Sequence, residues 1–311
     1  MMKKTAPTNP TRRRALLSAL AITASFTSYR GWTNTNTRTQ PLAKKIPSSG
    51  EQIPPIGMGT WITFNIGPDQ EARAQREQVL RAFFEAGGGM IDSSPMYGSA
   101  QDVLGDLLSR LAPNNLFSAT KVWTDGNGEG QINEAFQLWR RDQFDLLQVH
   151  NLVNWPEHLA RLQEMKEAGS IRYLGITTSH GRRHAEMEKI MQQAPLDFIQ
   201  LTYNPVDREA EQRLLPLAQD KGIAVIVNRP FRRGGLTQSL QNPPLPGLAA
   251  DLDCDSWAQL LLKFTIAHPA VSCAIPATSN VEHMVENMRA GNGPMPTASQ
   301  REQIAELVLR G

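Results

Sequence analysis

Short apolar runs alternate with longer amphipathic runs along most of this chain, from about residue 56 onward. Short apolar runs are typical of buried strands, and longer runs with apolar residues every three or four positions are typical of helices. Strands that alternate with helices of this length pair as parallel neighbours. Eight such units in a row predict an α/β protein whose sheet closes into a (β/α)8 TIM barrel, which needs about 250 residues.

The boundaries of these units follow from where the apolar runs begin and end. The predicted strands are residues 56–61, 90–92, 116–122, 144–150, 173–177, 198–201, 224–227 and 272–275. The predicted helices are residues 71–86, 100–111, 132–140, 157–168, 183–193, 209–221, 256–267 and 281–290, with a final helix at 298–309. Residues 228–255 are rich in Pro, Gly and Leu without clear periodicity, and so long a loop in a compact domain is usually functional or mobile. We expect this segment to rise over the active face and to close over a bound ligand.

The charge of the chain is unevenly distributed. Residues 1–31 hold six Lys and Arg and no acidic residue, although the net charge of all 311 residues is only +2. Outside this segment, 26 Lys and Arg stand against 30 Asp and Glu, so the body is mildly acidic. This balance argues against a nucleic-acid binder, which neutralises phosphates with basic residues. Cys254 and Cys273 lack the spacing of metal ligands, and no metal site is predicted.

The N-terminal residues have the features of a targeting signal. Arg12, Arg13 and Arg14 precede a moderately apolar stretch, residues 15–26, which is the anatomy of a secretory signal. The paired arginines resemble a twin-arginine signal and imply the twin-arginine export machinery as a partner. The apolar stretch is too short for a stable membrane anchor, which needs about 20 apolar residues.

We therefore expect a signal peptide over residues 1–31, a polar linker over 32–50 and the barrel over 51–311, with the mature protein in the periplasm. The cleavage point stays open because a clean Ala-x-Ala site is missing. A disordered basic tail is the alternative interpretation of the N-terminal segment.

Four polar residues follow or close predicted strands: Asp92, Tyr97, Lys121 and His150. Active sites of β/α barrels collect at the carboxyl ends of the strands. A tyrosine, a lysine, a histidine and a carboxylate together make a plausible proton-donor system. Taken singly, Tyr97 is more simply interpreted as a surface aromatic and His150 as a core histidine; the occurrence of all four in order, each at a strand end, favours a catalytic set instead.

The four residues, in this order, resemble the catalytic tetrad of the aldo-keto reductases, and the resemblance extends over residues 53–287. It implies an NAD(P)(H)-dependent oxidoreductase that reduces an aldehyde or ketone to an alcohol, with a small carbonyl compound as substrate. Tyr97 would donate the proton, and Lys121 would lower the pKa of Tyr97 by favouring the phenolate. Asp92 would pair with Lys121, and His150 would donate to the carbonyl oxygen.

The resemblance also implies NADP as cofactor, with NAD not excluded. The positions that would contact the dinucleotide are Thr60 and Trp61 at the nicotinamide, Thr177, Thr178 and Gln200 at its carboxamide, Asn228 where the family stacks a tyrosine, Arg229 at the phosphates, Thr278 at the ribose phosphate, and Glu286 and Asn287 at the adenine. Thr177, Thr178 and Asn228 depart from the family's Ser-Asn pair and tyrosine. These departures permit an alternative function, a catalytically weak cofactor-binding sensor or partner subunit on the same barrel.

Overall fold

The computed structural model describes residues 42–310. It begins with an antiparallel hairpin of two short strands, β1 (Lys44–Lys45) and β2 (Gln52–Ile53). Ile46, directly after β1, is completely buried, and Ile53 is almost completely buried. Both side chains pack into the apolar cluster that fills the interior of the barrel, so the hairpin closes its amino end.

Eight parallel strands form the barrel, and each pairs with the next one along the chain. They are β3 (Met58–Gly59), β4 (Met90–Asp92), β5 (Phe117–Val122), β6 (Phe144–Val149), β7 (Ile171–Thr177), β8 (Phe198–Thr202), β9 (Ala224–Asn228) and β10 (Val271–Ala274). Nearly all of their side chains are buried because helices cover the outer face and apolar side chains fill the inside. The predicted α/β fold, a (β/α)8 TIM barrel, is confirmed.

The barrel closes along a seam where the segment around β3 meets β10. The Gly57 amide donates to the Ala274 carbonyl at 2.8 Å, and the Ala274 amide donates to the Pro55 carbonyl at 2.8 Å. The Gly59 amide donates to the Pro276 carbonyl at 3.1 Å. A Cβ atom on Gly59 would lie 2.8 Å from the Ile275 carbonyl oxygen, so the seam requires glycine there.

Helices pack around the strands with their apolar faces inward. They are α1 (Gln70–Glu85), α2 (Ala100–Leu111), α3 (Glu129–Trp139), α4 (Trp155–Glu167), α5 (His184–Gln193), α6 (Leu214–Lys221), α7 (Gly235–Ser239), α8 (Leu248–Asp251), α9 (Trp257–Ile266), α10 (Val281–Arg289) and α11 (Ala298–Arg310). Asp69, Ser256 and Asn280 accept backbone amides at the starts of α1, α9 and α10, which fixes where these helices begin.

Two predicted elements differ in the structure. The predicted helix over 209–221 is divided into a 3-10 turn, Glu209–Gln212, and α6. Pro216 lacks an amide hydrogen and is tolerated only in a first helical turn, so α6 starts just before it. The segment 228–255, predicted as a loop, contains α7 and α8, and buried leucines such as Leu236 and Leu252 anchor its distal part.

The predicted domain limits also change where the structure describes them. Residues 42–50 belong to the barrel unit and not to a polar linker, because β1 pairs with β2 and Ile46 fills the amino end of the barrel. The predicted signal peptide, residues 1–31, lies outside the described residues. Across 42–310, no helix is both long enough and apolar enough to cross a membrane.

Candidate active site

Four residues converge at the carboxyl ends of three neighbouring strands. Asp92 is the last residue of β4, Lys121 is the second-last residue of β5, and His150 directly follows β6. Tyr97 lies five residues after Asp92, in the turn that leads into α2. Because β4, β5 and β6 are adjacent and parallel, the fold brings together the four residues that the sequence singles out.

A fully buried ion pair forms the base of this site. The Lys121 ammonium donates to Asp92 Oδ1 and to the Ser93 carbonyl, the latter at 2.8 Å. Burial lowers the pKa of Lys121, and the negative charge of Asp92 opposes that shift. An ammonium buried without such a partner would be strongly destabilising, so Asp92 is what permits a lysine at this position.

Two glutamines hold the other oxygen of the Asp92 carboxylate. Gln148 Nε2 donates to Asp92 Oδ2 at 3.1 Å, and Gln200 Nε2 donates to the same atom at 3.0 Å. The Thr60 hydroxyl donates to the Asp92 carbonyl at 3.0 Å. The carboxylate is thus fixed on both sides and cannot rotate away from Lys121. Gln148 was not singled out from the sequence, where it is one polar residue within an apolar strand.

Tyr97 lies over this pair at the edge of the cleft. The Lys121 ammonium is 5.3 Å from the centre of the Tyr97 ring, and the Tyr97 and His150 rings meet edge to face at 5.9 Å. Burial, reinforced by the charge of Asp92, raises the pKa of Tyr97. The net shift is therefore opposite to the lowering expected from Lys121, because burial, with the charge of Asp92 added, outweighs any effect of the ammonium. Tyr97 keeps its proton at neutral pH and is equipped to give it up to a stronger base.

His150 is held by a serine that sequence reasoning missed. Ser94 Oγ lies 2.8 Å from His150 Nδ1, and both side chains are buried. Burial lowers the pKa of His150 well below its usual value, and the positive charge of Lys121 adds to the shift. The imidazole is therefore neutral at physiological pH. Ser94 lies two residues after Asp92, in the segment that leaves β4.

A cleft of about 540 Å³ opens over these residues. Seven of the predicted cofactor positions line it: Thr60, Trp61, Thr177, Thr178, Gln200, Asn228 and Arg229. Asp92, Tyr97 and His150 also face the cleft, whereas Lys121 lies buried behind them. The predicted catalytic residues and these seven predicted cofactor positions thus share one cavity.

Two polar side chains in the cleft are already engaged with their neighbours. The Asn228 amide donates to the Thr178 carbonyl at 2.9 Å, and Asn228 Oδ1 accepts the Thr202 hydroxyl at 2.6 Å. Gln200 was predicted to hold the carboxamide of the cofactor. Its Nε2 donates to Asp92 Oδ2, and its Oε1 accepts a hydrogen bond from Asn228 Nδ2 at 3.4 Å. These contacts link the floor of the cleft to the buried ion pair.

The remaining three predicted cofactor positions do not line this cleft. Thr278 follows β10, and its hydroxyl accepts the Asn280 amide at 3.1 Å, just before α10. Glu286 and Asn287 are on α10 itself, where Asn287 is buried and Glu286 is partly exposed. All three residues come after Ala277, which lines the cleft in the segment that leads from β10 into α10.

One side of the cleft is strongly basic, and most of its members were not predicted as site residues. His180, Arg182, Arg183, Arg229 and Arg233 line it. Arg183 pairs with Glu186, but within residues 42–310 no carboxylate lies within ion-pair distance of Arg182, Arg229 or Arg233.

The basic side of the cleft contacts Trp61, an aromatic residue that also lines the cleft. The Arg233 guanidinium is 4.1 Å from the centre of the Trp61 ring, close enough for a cation–π interaction. Arg229, Arg232 and Arg233 all have positive φ angles, between 49° and 62°, which non-glycine residues rarely adopt. The arginine segment is therefore held in place by its contacts and not by local backbone preference.

Comparison with known proteins identifies relatives over most of the chain. The sequence matches the model of the Aldo/keto reductase family over residues 55–308. It is 30% identical over 261 residues to the methylglyoxal reductase YeaE of Escherichia coli strain K12, covering 78% of this chain and 88% of that protein. It is 28% identical over 243 residues to the NADH-specific methylglyoxal reductase of the same organism, covering 66% and 72%.

Solved structures share the fold. An aldo/keto reductase from Klebsiella pneumoniae in complex with NADP and acetate superposes with a TM-score of 0.72 at 23% identity, covering 85% of this chain and 95% of that one. An aldo-keto reductase from Bacillus halodurans in its holo form gives 0.71 at 21% identity, covering 86% and 96%.

Proposed function

We propose, on the premise that the chain belongs to the aldo/keto reductase family over residues 55–308, that Tyr97 is its proton donor in reducing a carbonyl group. The protein is an NAD(P)(H)-dependent oxidoreductase that converts an aldehyde or ketone to the alcohol. The observation that carries the role of Tyr97 is its position. Tyr97 lines the cleft, with its ring next to the buried Lys121 of the Lys121–Asp92 pair and edge to face with the neutral His150.

Each residue of the site has a separate role in the reduction. A carbonyl group that accepts a hydride at carbon gathers negative charge on oxygen and needs a proton there. Tyr97 gives that proton, and its phenolate is then stabilised by the Lys121 ammonium 5.3 Å from the ring centre. His150 donates a hydrogen bond to the same oxygen, since donors aimed at developing charge lower the barrier. Asp92 keeps Lys121 charged and in place.

The cleft fits a nicotinamide dinucleotide. Arg229 and Arg233 lack carboxylate partners in the described part of the chain, and Arg229 Nε is buried without a hydrogen-bond acceptor. Guanidinium groups match phosphate oxygens in geometry and charge, so these two arginines would hold the phosphates. When bound, the dinucleotide supplies the hydride. Thr60, Trp61, Thr177 and Thr178 would surround its nicotinamide end.

NADP is the proposed cofactor, with NAD not excluded. The Klebsiella structure with NADP supports the first, and the NADH-specific relative supports the second. Titration of the protein with NADPH and NADH, followed by tryptophan fluorescence, tests the choice. We expect tighter binding of NADPH, and weaker binding of both in Arg229→Gln. Arg140→Gln, an exposed arginine after α3, is the matched control. Equal or tighter binding of NADH would contradict the preference.

Small 2-oxoaldehydes such as methylglyoxal are the proposed substrate class. Two relatives are methylglyoxal reductases. The cleft has apolar walls at Trp61, Met96, Val153 and Phe231, which leave room for a short carbonyl compound beside the polar floor. We expect purified protein to reduce methylglyoxal faster than a bulky aromatic ketone, measured as oxidation of NADPH. Absence of reduction with every aldehyde and ketone tried, in protein shown to bind the dinucleotide, would refute the proposed activity.

A catalytically weak cofactor-binding sensor is the second candidate. It is favoured by Asn228, which stands where the resembled family stacks a tyrosine and whose amide is committed to Thr178 and Thr202. Tight cofactor binding without turnover would favour the sensor. Turnover of methylglyoxal at an ordinary enzymatic rate, at least about one per second, would exclude it.

Export by the twin-arginine route to the periplasm is also proposed, and its support is the sequence of residues 1–31 alone. The double substitution Arg12→Lys/Arg13→Lys should keep the protein in the cytoplasm, because the paired arginines are the signal. Cell fractionation of the wild type and this double variant tests it, with Lys3→Arg/Lys4→Arg as the control that also keeps the charge. Normal periplasmic accumulation of the Arg12→Lys/Arg13→Lys variant would rule out this route.

A further inference from the structure

We propose that Ser94 selects the tautomer of His150, placing the single ring proton on Nε2 so that His150 can donate to the substrate oxygen. This inference rests on the proposed function for its consequence, but the contact itself is a property of the protein alone. Ser94 acts through His150 and is therefore a positioning residue.

The contact is buried and specific to one of two adjacent serines. Ser94 is fully buried, and its hydroxyl oxygen is 2.8 Å from His150 Nδ1. Ser93 is equally buried, yet its hydroxyl has no hydrogen-bond partner in residues 42–310. The Ser94 hydroxyl thus contacts His150 and the Met96 amide, whereas the Ser93 hydroxyl contacts no polar group of the described residues, which makes Ser93 a matched control for loss of a buried hydroxyl.

The direction of the hydrogen bond follows from the partners of Ser94. Its oxygen already accepts the Met96 amide, at a long 3.4 Å. The only acceptor for its hydroxyl hydrogen among the described residues is His150 Nδ1. In the opposite arrangement, with Nδ1 donating, that hydrogen would be buried without a partner, at a cost of about 1–3 kcal/mol. The serine therefore donates and Nδ1 accepts.

A neutral imidazole carries one proton, so an accepting Nδ1 leaves that proton on Nε2. The low pKa of His150, set by burial and by Lys121, keeps the ring neutral. Nε2 has no hydrogen-bond partner in the described chain and is not sealed from the cleft that His150 lines. A ligand in the cleft thus meets an N–H donor. The other tautomer would present a lone pair to a carbonyl oxygen and repel it.

Nitrogen NMR of the uniformly labelled protein without substrate tests the tautomer directly. His150 is assigned by comparison with His150→Gln, since the chain has six histidines. We expect the protonated type of shift at Nε2 and the unprotonated type at Nδ1. In Ser94→Ala both shifts should move toward the average of two tautomers, while Ser93→Ala leaves them unchanged. A proton on Nδ1 in the wild type, or unchanged shifts in Ser94→Ala, would overturn the proposal.

Kinetics then test the consequence. Loss of one hydrogen bond should lower kcat about tenfold in Ser94→Ala, with KM for the cofactor unchanged. Ser93→Ala keeps the backbone carbonyl that Lys121 contacts and removes a hydroxyl without a hydrogen-bond partner in residues 42–310, so its kcat should fall far less than that of Ser94→Ala. If both alanine variants lose kcat equally, packing is responsible and the positioning role fails. If the NMR result holds but no variant, including the wild type, reduces a carbonyl compound, the tautomer assignment stands and the proposed function fails.

Discussion

The two ends of the barrel bury different kinds of side chain between the same eight strands. At the amino end, Ile46 and Ile53 of the hairpin complete an apolar plug, and Glu51 fastens that hairpin to Arg172 and Tyr173. At the carboxyl end, Asp92 and Lys121 are equally buried but charged. Apolar burial contributes to stability, whereas a buried ion pair often contributes little or nothing net. The amino end thus contributes to the stability of the fold, whereas the carboxyl end holds the candidate active site and is called the reactive end below.

The largest expected effect is at the reactive end. Tyr97→Phe removes one hydroxyl and keeps the ring, so kcat should fall by about 10²–10⁴. The melting temperature and the dissociation constant of the cofactor should stay close to wild type, because within residues 42–310 the hydroxyl makes no hydrogen bond. Steady-state reduction of methylglyoxal and thermal melts measure both. Turnover near the wild-type rate would mean that another group supplies the proton.

Lys121→Met tests whether the reactive end carries a stability cost. Removing one partner of a buried pair typically destabilises by about 3–5 kcal/mol, because Asp92 is left without its counter-charge. The double variant Lys121→Met/Asp92→Leu should regain part of that free energy of unfolding while remaining inactive. Denaturant unfolding of both variants provides the comparison. A double variant less stable than the single one would show that the pair stabilises the fold.

Ile46→Ala tests the stabilising end. The side chain is completely buried in the inner cluster, so its truncation should cost about 2–5 kcal/mol in the free energy of unfolding. The kcat of the folded protein should not change, because the substitution is at the end of the barrel opposite to Tyr97. Ser48→Ala, an exposed position in the same hairpin, is the control. A selective loss of kcat without loss of stability would contradict the separation of the two ends.

The smallest effect is expected for Glu51→Gln. Its carboxylate accepts the Tyr173 hydroxyl at 2.6 Å and pairs with Arg172, but both members of the ion pair are about one-third exposed. Pairs of this kind contribute at most about 1 kcal/mol, and salt should reduce the difference between variant and wild type. Unfolding at low and high ionic strength measures it. If Glu51→Gln lowers the free energy of unfolding as much as Ile46→Ala does, the ion pair contributes as much as the apolar plug to holding the hairpin on the barrel.

The alternation of apolar and amphipathic runs was enough to predict the barrel, because periodicity reports burial directly. The hairpin at the amino end gave no such signal: β1 consists of Lys44 and Lys45, and a two-residue strand has no periodicity. Its contribution comes from Ile46, whose burial depends on residues far away in the sequence. The helices α7 and α8 were missed for the same reason, since each is only one turn long.

In the candidate site, sequence reasoning predicted which groups converge but not their interactions. Asp92, Tyr97, Lys121 and His150 were predictable because each ends or follows a strand. The direction of the Tyr97 pKa shift was not predictable, because it depends on how deeply the folded chain buries the hydroxyl and on the charge of Asp92 nearby. Ser94 and Gln148 act on neighbours across strands, and such pairs become visible only when the register of the strands is known.

The seam between β3 and β10 has a consequence for how this chain folds. Its contacts join residues more than 200 positions apart, such as Gly57 and Ala274, so closing it carries the largest loop-closure entropy in the barrel. We therefore expect the seam to form late in folding and its amides to exchange with solvent before those of β5 and β6. Thr60 and Trp61 follow β3 directly. Each transient opening of the seam would displace Thr60 and Trp61 from the cleft while leaving Asp92 and Lys121 paired.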